Sequence, residues 1–304
     1  MTYALHHAVL VIACPLVVPL LAHARWLRRV PHTAVLLWQA LGLAWVLSVV
    51  GLPFALGLAP YHLGVLPGLA RAAADLTAGR LLDRLIPIQL GALGAGLALT
   101  AVLVGALVTC ALEVLGARRR HRRLLALVAR LCPEAPGALV LEHPAAAAYC
   151  LPGMRSQVVV SEGMLKLLDR DQLAAVLAHE HAHARARHDL VLLPFVALRR
   201  VLPRLRLVAQ AADAVALLVE MCADDLACRR HAVRSLATAL LRVGTVNGTA
   251  IPAGTLGAAA SPLAARVQRL LAPQPPVPWA VGGLAVAAAA TVLATPLSLL
   301  VLPT

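Results

Sequence analysis

The sequence predicts a multi-pass α-helical membrane protein with an α+β domain, mostly helical with a small β-sheet, between its third and fourth spans. Composition and patterning both predict this class. Hydrophobic residues are 61% of the 304 and charged residues 13%, whereas soluble domains hold roughly 45–50% and about 25%. The mean hydropathy is +0.82. Four runs, residues 4–22, 34–58, 88–116 and 279–301, provide the ~20 predominantly apolar positions that a bilayer core demands. Between the third run and the fourth fall 21 of the 27 Lys and Arg residues. The expected layout is therefore a membrane domain at 1–116, a polar domain at 117–277 and a fourth span within 278–304.

No basic residue precedes the first run, and Arg25, Arg28 and Arg29 follow it at once. That polarity puts both termini outside and the first loop inside. Ala22-His23-Ala24 resembles a signal-peptidase site, but with no basic leading region the run reads as a retained anchor. Pro15, Pro19 and Pro53 are tolerable inside membrane helices. Gly91, Gly94, Ala95 and Gly105 of the third span read as ordinary span composition rather than a helix-packing motif. The basic residues place the polar domain on the cytoplasmic side of a cell membrane. A single Lys166 against 26 Arg, with abundant Ala and Leu, is the composition expected of a GC-rich bacterial genome.

In the polar domain, residues 118–131 read as a basic amphipathic helix ending before Cys132-Pro133. Short runs at 138–142, 147–151 and 157–161 read as strands between Pro and Gly signals. Residues 157–160 are either a strand edge able to hold an extended peptide or a plain core strand. Helix formers with an acidic first turn at Asp171 then lead into His179-Glu180-His181-Ala182-His183. This is H-E-x-x-H in a helical context. Residues four apart share a helical face, so His179 and His183 can reach one Zn²⁺, and Glu180 is placed to take a proton from the attacking water.

A tetrahedral catalytic zinc needs a third protein ligand. Glu220 and Asp224, again four apart, sit in an apolar stretch where an unpaired carboxylate would be costly. Glu220 is the candidate third ligand, and Asp224 the acceptor that orients a ligand histidine. His181, His188, Asp189 and Asp225 are the alternatives. On a continuous helix His181 points away, and His188 lies about 140° around from His183. Residues 190–198 are apolar but too short to span, and pack either at the membrane interface, favoured by Pro194 and Pro203, or as core. Residues 211–231 and 234–243 read as helices, and a loop rich in Gly and Ala opens at 247.

The combination of H-E-x-x-H with Glu220-Met221-Cys222-Ala223-Asp224 (E-x-x-A-D) resembles the gluzincin membrane metallopeptidases. These include HtpX-type quality-control proteases, CAAX prenyl proteases and BlaR/MecR-type antirepressor proteases. Residues 148–153 and 157–165 are similar to the strand pair and strand-to-helix turn of that family. Ser261-Pro262-Leu263-Ala264-Ala265-Arg266-Val267 is similar to its closing segment. The resemblance implies an α+β gluzincin zinc-peptidase domain with one Zn²⁺ per chain on His179, His183 and Glu220. Glu180 would be the general base and Asp224 the support for a ligand. Three spans before the peptidase domain and one after match the antirepressor subgroup, which implies a cytoplasmic repressor as protein substrate. No sensor domain is expected, since three residues follow Val301.

Charge and composition narrow the remaining classes. The net charge is +13, and Arg118-Arg119-Arg120-His121-Arg122-Arg123 is the densest basic patch. It directly follows a span, where such a cluster meets anionic lipid headgroups. Aromatics are 3% of the chain and none interleave it, so nucleic acid is not an expected partner. The six cysteines form no C-x-x-C pair, and a cytoplasmic setting keeps thiols reduced. Site-2-type intramembrane proteolysis is disfavoured, because charged residues such as Arg170, Asp171, Arg185 and Asp189 flank the motif. The alternatives carried forward are an HtpX-like quality-control protease and a catalytically silent signal transducer.

Overall fold

The computed structural model describes residues 2–131, 137–151, 153, 156–247, 262–272 and 278–301. The chain divides into two compact units: residues 1–110, 194–215 and 277–304 in the first, and residues 111–193 and 216–276 in the second.

The first unit is helical. It contains α1 (Thr2–His23), α2 (Pro31–Gly57), α3 (Val65–Thr77), α4 (Leu81–Arg84) and α12 (Trp279–Val301), with the first part of α5 (Pro87–Val128). Among the described residues four helices are long and apolar enough to cross a membrane: Tyr3–His23, Pro31–Gly57, Pro87–Val128 and Trp279–Ser298. This supports a membrane protein. Several threonine hydroxyls in these helices bond to their own helix backbone, as an apolar surround favours. Thr100 donates to Gly96 O and Thr291 to Ala287 O. The α2–α3 connection is tied by Asp75, which accepts from Tyr61 Oη at 3.0 Å and pairs with Arg80 at 3.5 Å.

Residues 190–198 belong to α8 (His188–Val201). From Pro194 on, α8 lies in the first unit, where Phe195 is buried and Phe195 and Leu198 line an apolar cavity with Cys14, Trp38 and Trp45. The segment therefore packs against the apolar helices.

The second unit is α+β. Its sheet has the order β1-β2-β4-β3, from β1 (Ala129–Leu131), β2 (Ala138–Leu141), β3 (Ala148–Leu151) and β4 (Gln157–Ser161). β2 and β4 are parallel, with Val140 opposite Val160, whereas β1 and β3 join as antiparallel edges. β4 is apolar at every interior position because both of its faces are covered. Val158 and Val160 enter a core with Met164, Leu173 and Val176, while Val159 packs with Leu125 and Leu151 on the other face.

Two sequence expectations are corrected here. The basic helix expected at 118–131 does not start afresh: α5 runs unbroken for 42 residues, because no proline follows Pro87 before its end. Its expected last residues form β1 instead. Residues 157–160 are also not an edge, since β4 is hydrogen-bonded on both sides, and among the described residues the edges are β1 and β3. The Gly- and Ala-rich loop expected from 247 lies, from 248 on, outside the described residues, as does Cys132-Pro133.

After β4 the chain turns into α6 (Glu162–Leu167), capped by Ser161, whose Oγ accepts from Met164 N at 3.1 Å. The same hydroxyl donates to Ala145 O at 2.7 Å and ties the turn to the segment between β2 and β3. Gly163 is required at this corner, because a Cβ there would collide with the Pro144 carbonyl. The remaining helices are α7 (Arg170–Arg185), α9 (Arg206–Cys228), α10 (Val233–Val246) and α11 (Pro262–Leu271).

Candidate metal centre

α7 starts where the sequence provides a cap: the Asp169 side chain accepts from Gln172 N at 2.9 Å, and Asp171 follows in the first turn. Its inner face carries Leu173 and Val176 into the core and continues into His179, Glu180 and His183. α9 brings Glu220 and Asp224 from an apolar helix in which Val219, Met221 and Ala223 are fully buried.

The two helices meet at a compact donor set. His179 Nε2 and His183 Nε2 are 3.1 Å apart; Glu220 Oε2 lies 3.4 Å from the first and Glu220 Oε1 lies 3.4 Å from the second. His179, His183 and Glu220 form a cluster whose ligand atoms all lie within 4.8 Å of one another. Bonds of about 2.0–2.1 Å around a tetrahedral zinc place neighbouring ligand atoms about 3.3 Å apart. The His179–His183 spacing and the two histidine–Glu220 spacings, each to its own carboxylate oxygen, lie near that edge length, so the residues present fit the ion.

Behind these ligands lies a second set of polar contacts. His179 Nδ1 is 3.0 Å from Asp224 Oδ1. Arg266 of α11 grips Asp224 with two bonds, Nε to Oδ2 at 2.9 Å and Nη2 to Oδ1 at 2.6 Å, and its Nη1 lies 2.8 Å from Glu220 Oε2. His183 Nδ1 faces His188 Nδ1 at 3.0 Å. The Glu180 carboxylate accepts a hydrogen bond from the backbone of Cys150 on β3. The mouth is a cavity of about 280 Å³, where His179, Glu180, Glu220 and Arg266 face Ala148 and the apolar side chains of α10.

The electrostatics divide the roles. Burial alone would lower the His179 pKa, but the carboxylates of Asp224 and Glu220 outweigh it and hold it at about 9. Burial, with the charge of His179 beside it, pushes His183 down to about 4. Burial pushes Glu180 up to about 7, close to neutrality. Burial would also raise Glu220 and Asp224, yet His179 and Arg266 hold both at about 2. The Cys150 thiol is pushed up to about 11 by burial and by Glu180, so it stays protonated and is no nucleophile.

All five residues singled out from the sequence, His179, Glu180, His183, Glu220 and Asp224, come together here. The alternatives do not ligate. His181 turns away, its Nδ1 bonded to Leu177 O at 2.7 Å. Asp189 pairs with Arg118 at 3.0 Å and Asp225 with Arg269 at 2.7 Å. His188 approaches the site, but as a partner of His183. Arg266 was not among the site residues expected from the sequence, although it stands in the 261–267 segment that resembles the family's closing segment. The available signal was a short, strongly amphipathic helix with an arginine on its apolar face; Arg266 is 9% exposed.

Residues 115–250 match the model of Peptidase family M48, a stretch that contains β1–β4, α7, α9 and α10 but stops short of Arg266. Members of that family are typically zinc-dependent, and the match supports a gluzincin-type metallopeptidase. No curated protein and no solved structure matches the chain.

Proposed function

We propose that this protein is a membrane-embedded zinc metalloendopeptidase that cleaves protein substrates. One observation carries the proposal: His179, His183 and Glu220 bring their ligand atoms within 4.8 Å of one another, as three ligands of one zinc ion require, with the Glu180 carboxylate next in line on α7. Zinc, when bound, supplies Lewis-acid activation of water and of the scissile carbonyl. His179 and His183 hold it from one helical face and Glu220 from the other helix. Asp224 fixes the His179 ring with the proton on Nδ1, leaving Nε2 for the metal. Glu180 takes the proton of the attacking water and returns it to the leaving amine, a cycle suited to a carboxyl group near pH 7. The edge strand β3 offers main-chain hydrogen bonds to an extended substrate, beside the residue whose backbone already holds Glu180.

The peptidase domain is taken to face the cytoplasm, because most basic residues follow the third span and precede the fourth. The run at residues 118–123 would then meet anionic headgroups. Three apolar helices before the M48 match and one after it favour regulated cleavage of a cytoplasmic repressor over general quality control.

The test uses purified full-length protein. Glu180→Gln should keep one zinc per chain and lose activity by about 10²–10⁴, whereas His183→Ala should lose metal as well. Parental activity in Glu180→Gln would remove it as general base. Zinc-free wild-type protein with full activity would sink the proposal.

A further inference from the structure

α7 has a second, exposed face. On the side turned away from His179 and His183 lies a groove of about 790 Å³ between α7 and the end of α9. Its floor is apolar, from Ala174, Leu177 and Ala178 on α7 and Leu226 on α9. Its rim is cationic: His181 and Arg185 along α7, and Arg229, Arg230 and His231 just after α9. In the same unit Arg118, Arg130, Arg266 and Arg269 pair with a carboxylate, whereas among the described residues others, such as Arg119, Arg120 and Arg170, do not. Among the described residues Arg185, Arg229 and Arg230 have no such partner, and all three are exposed.

We infer that this groove docks an acidic, amphipathic segment of a protein partner. Charge counting selects that occupant. The simplest use of basic residues at two helix C-termini is to offset the helix dipoles, worth about half a negative charge each. Three guanidinium groups exceed that by about two charges before either imidazole is counted. A single lipid phosphodiester brings one negative charge, whereas a segment with two or more carboxylates can meet all three arginines. Length agrees. From Ala174 to Ala186, which also lines the groove, α7 rises about 18 Å, enough to seat roughly three turns of a partner helix. Apolar side chains of that helix rest on the alanine and leucine floor, and its carboxylates reach the rim.

The probe is a fluorescent 16-residue peptide, Leu and Ala on one helical face and Glu on the other, titrated by anisotropy into the full-length protein in neutral detergent. A scrambled peptide of identical composition controls for bulk attraction to a cationic chain. R185Q/R229Q/R230Q should weaken binding by at least about tenfold, while R119Q/R120Q/R123Q, on a different basic patch, changes it by less than about twofold. Ala186→Trp, at an exposed floor position, should weaken binding with every charge intact. Metal content should be unchanged in all variants. Equal losses from the two triple variants, or equal binding of the scrambled peptide, would reduce the effect to non-specific attraction. Displacement of the peptide by phosphatidylglycerol vesicles but not phosphatidylcholine vesicles, lost in R185Q/R229Q/R230Q, would make the occupant a lipid and overturn the inference.

Discussion

The two faces of α7 are built from the same few residue types to opposite ends. On the inner face, imidazoles and carboxylates are locked by partners. His179 is held by Asp224, Asp224 by Arg266, His183 by His188 and Glu180 by the β3 backbone. On the outer face, among the described residues, His181 bonds only to its own helix, and Arg185 has no carboxylate. The lesson is about cost. A charge that leaves water must be paired, so the inner face is over-determined and intolerant of change. The outer face remains hydrated, and its charges stay available to a partner from outside.

The largest difference should appear in the arginines. Arg266→Met strands the buried Asp224 carboxylate and should cost about 3–5 kcal/mol of stability, whereas Arg185→Met on the outer face should shift it by less than about 0.5 kcal/mol. Thermal unfolding of both variants, with and without zinc, checks this; equal losses would erase the distinction between the faces. A smaller effect is expected from Asp224→Asn, which keeps the shape of the side chain but not its charge. Zinc affinity, measured by competition with a chelating dye, should fall by about 10–100-fold.

The subtlest expectation is a proton. In metal-free protein His179 is protonated below about pH 9, while His183 and Glu220 already stand in their ligand forms above about pH 4. Zinc must displace the His179 proton, so affinity should rise with pH and level off near pH 9. At about pH 8, where Glu180 is already ionised, about one proton should be released per zinc. Calorimetry in buffers of different ionisation heat counts it. No release would mean that the carboxylates do not hold His179 charged.

What the sequence revealed follows from the range of its signals. His179, Glu180 and His183 were legible because helical periodicity alone sets which of them share a face. Glu220 and Asp224 were legible because carboxylates four apart in an apolar helix demand a partner. Arg266 was not, since its tie to Asp224 spans 42 residues and it is one of 26 arginines. His188 was misplaced for a local reason. The 140° argument assumes that the helix continues, but α7 ends at Arg185 and Arg187 takes a left-handed conformation, φ 50°. That corner swings His188 back onto His183. A non-glycine residue there costs about 1–2 kcal/mol, and nothing in the spacing of side chains announces it. β1 was missed because three residues carry no period. The edge role went to the wrong strand because residues 157–160 alternate no more than a central strand does; pairing order settles that, and pairing order is a long-range property.

The two histidines also lean on unlike supports, an ionised carboxylate behind His179 and a second imidazole behind His183. A negatively charged brace makes its imidazole the stronger donor, so the arms of the clasp are unequal. A zinc ion held there would be bound more strongly by His179 than by His183, once His179 has given up its proton.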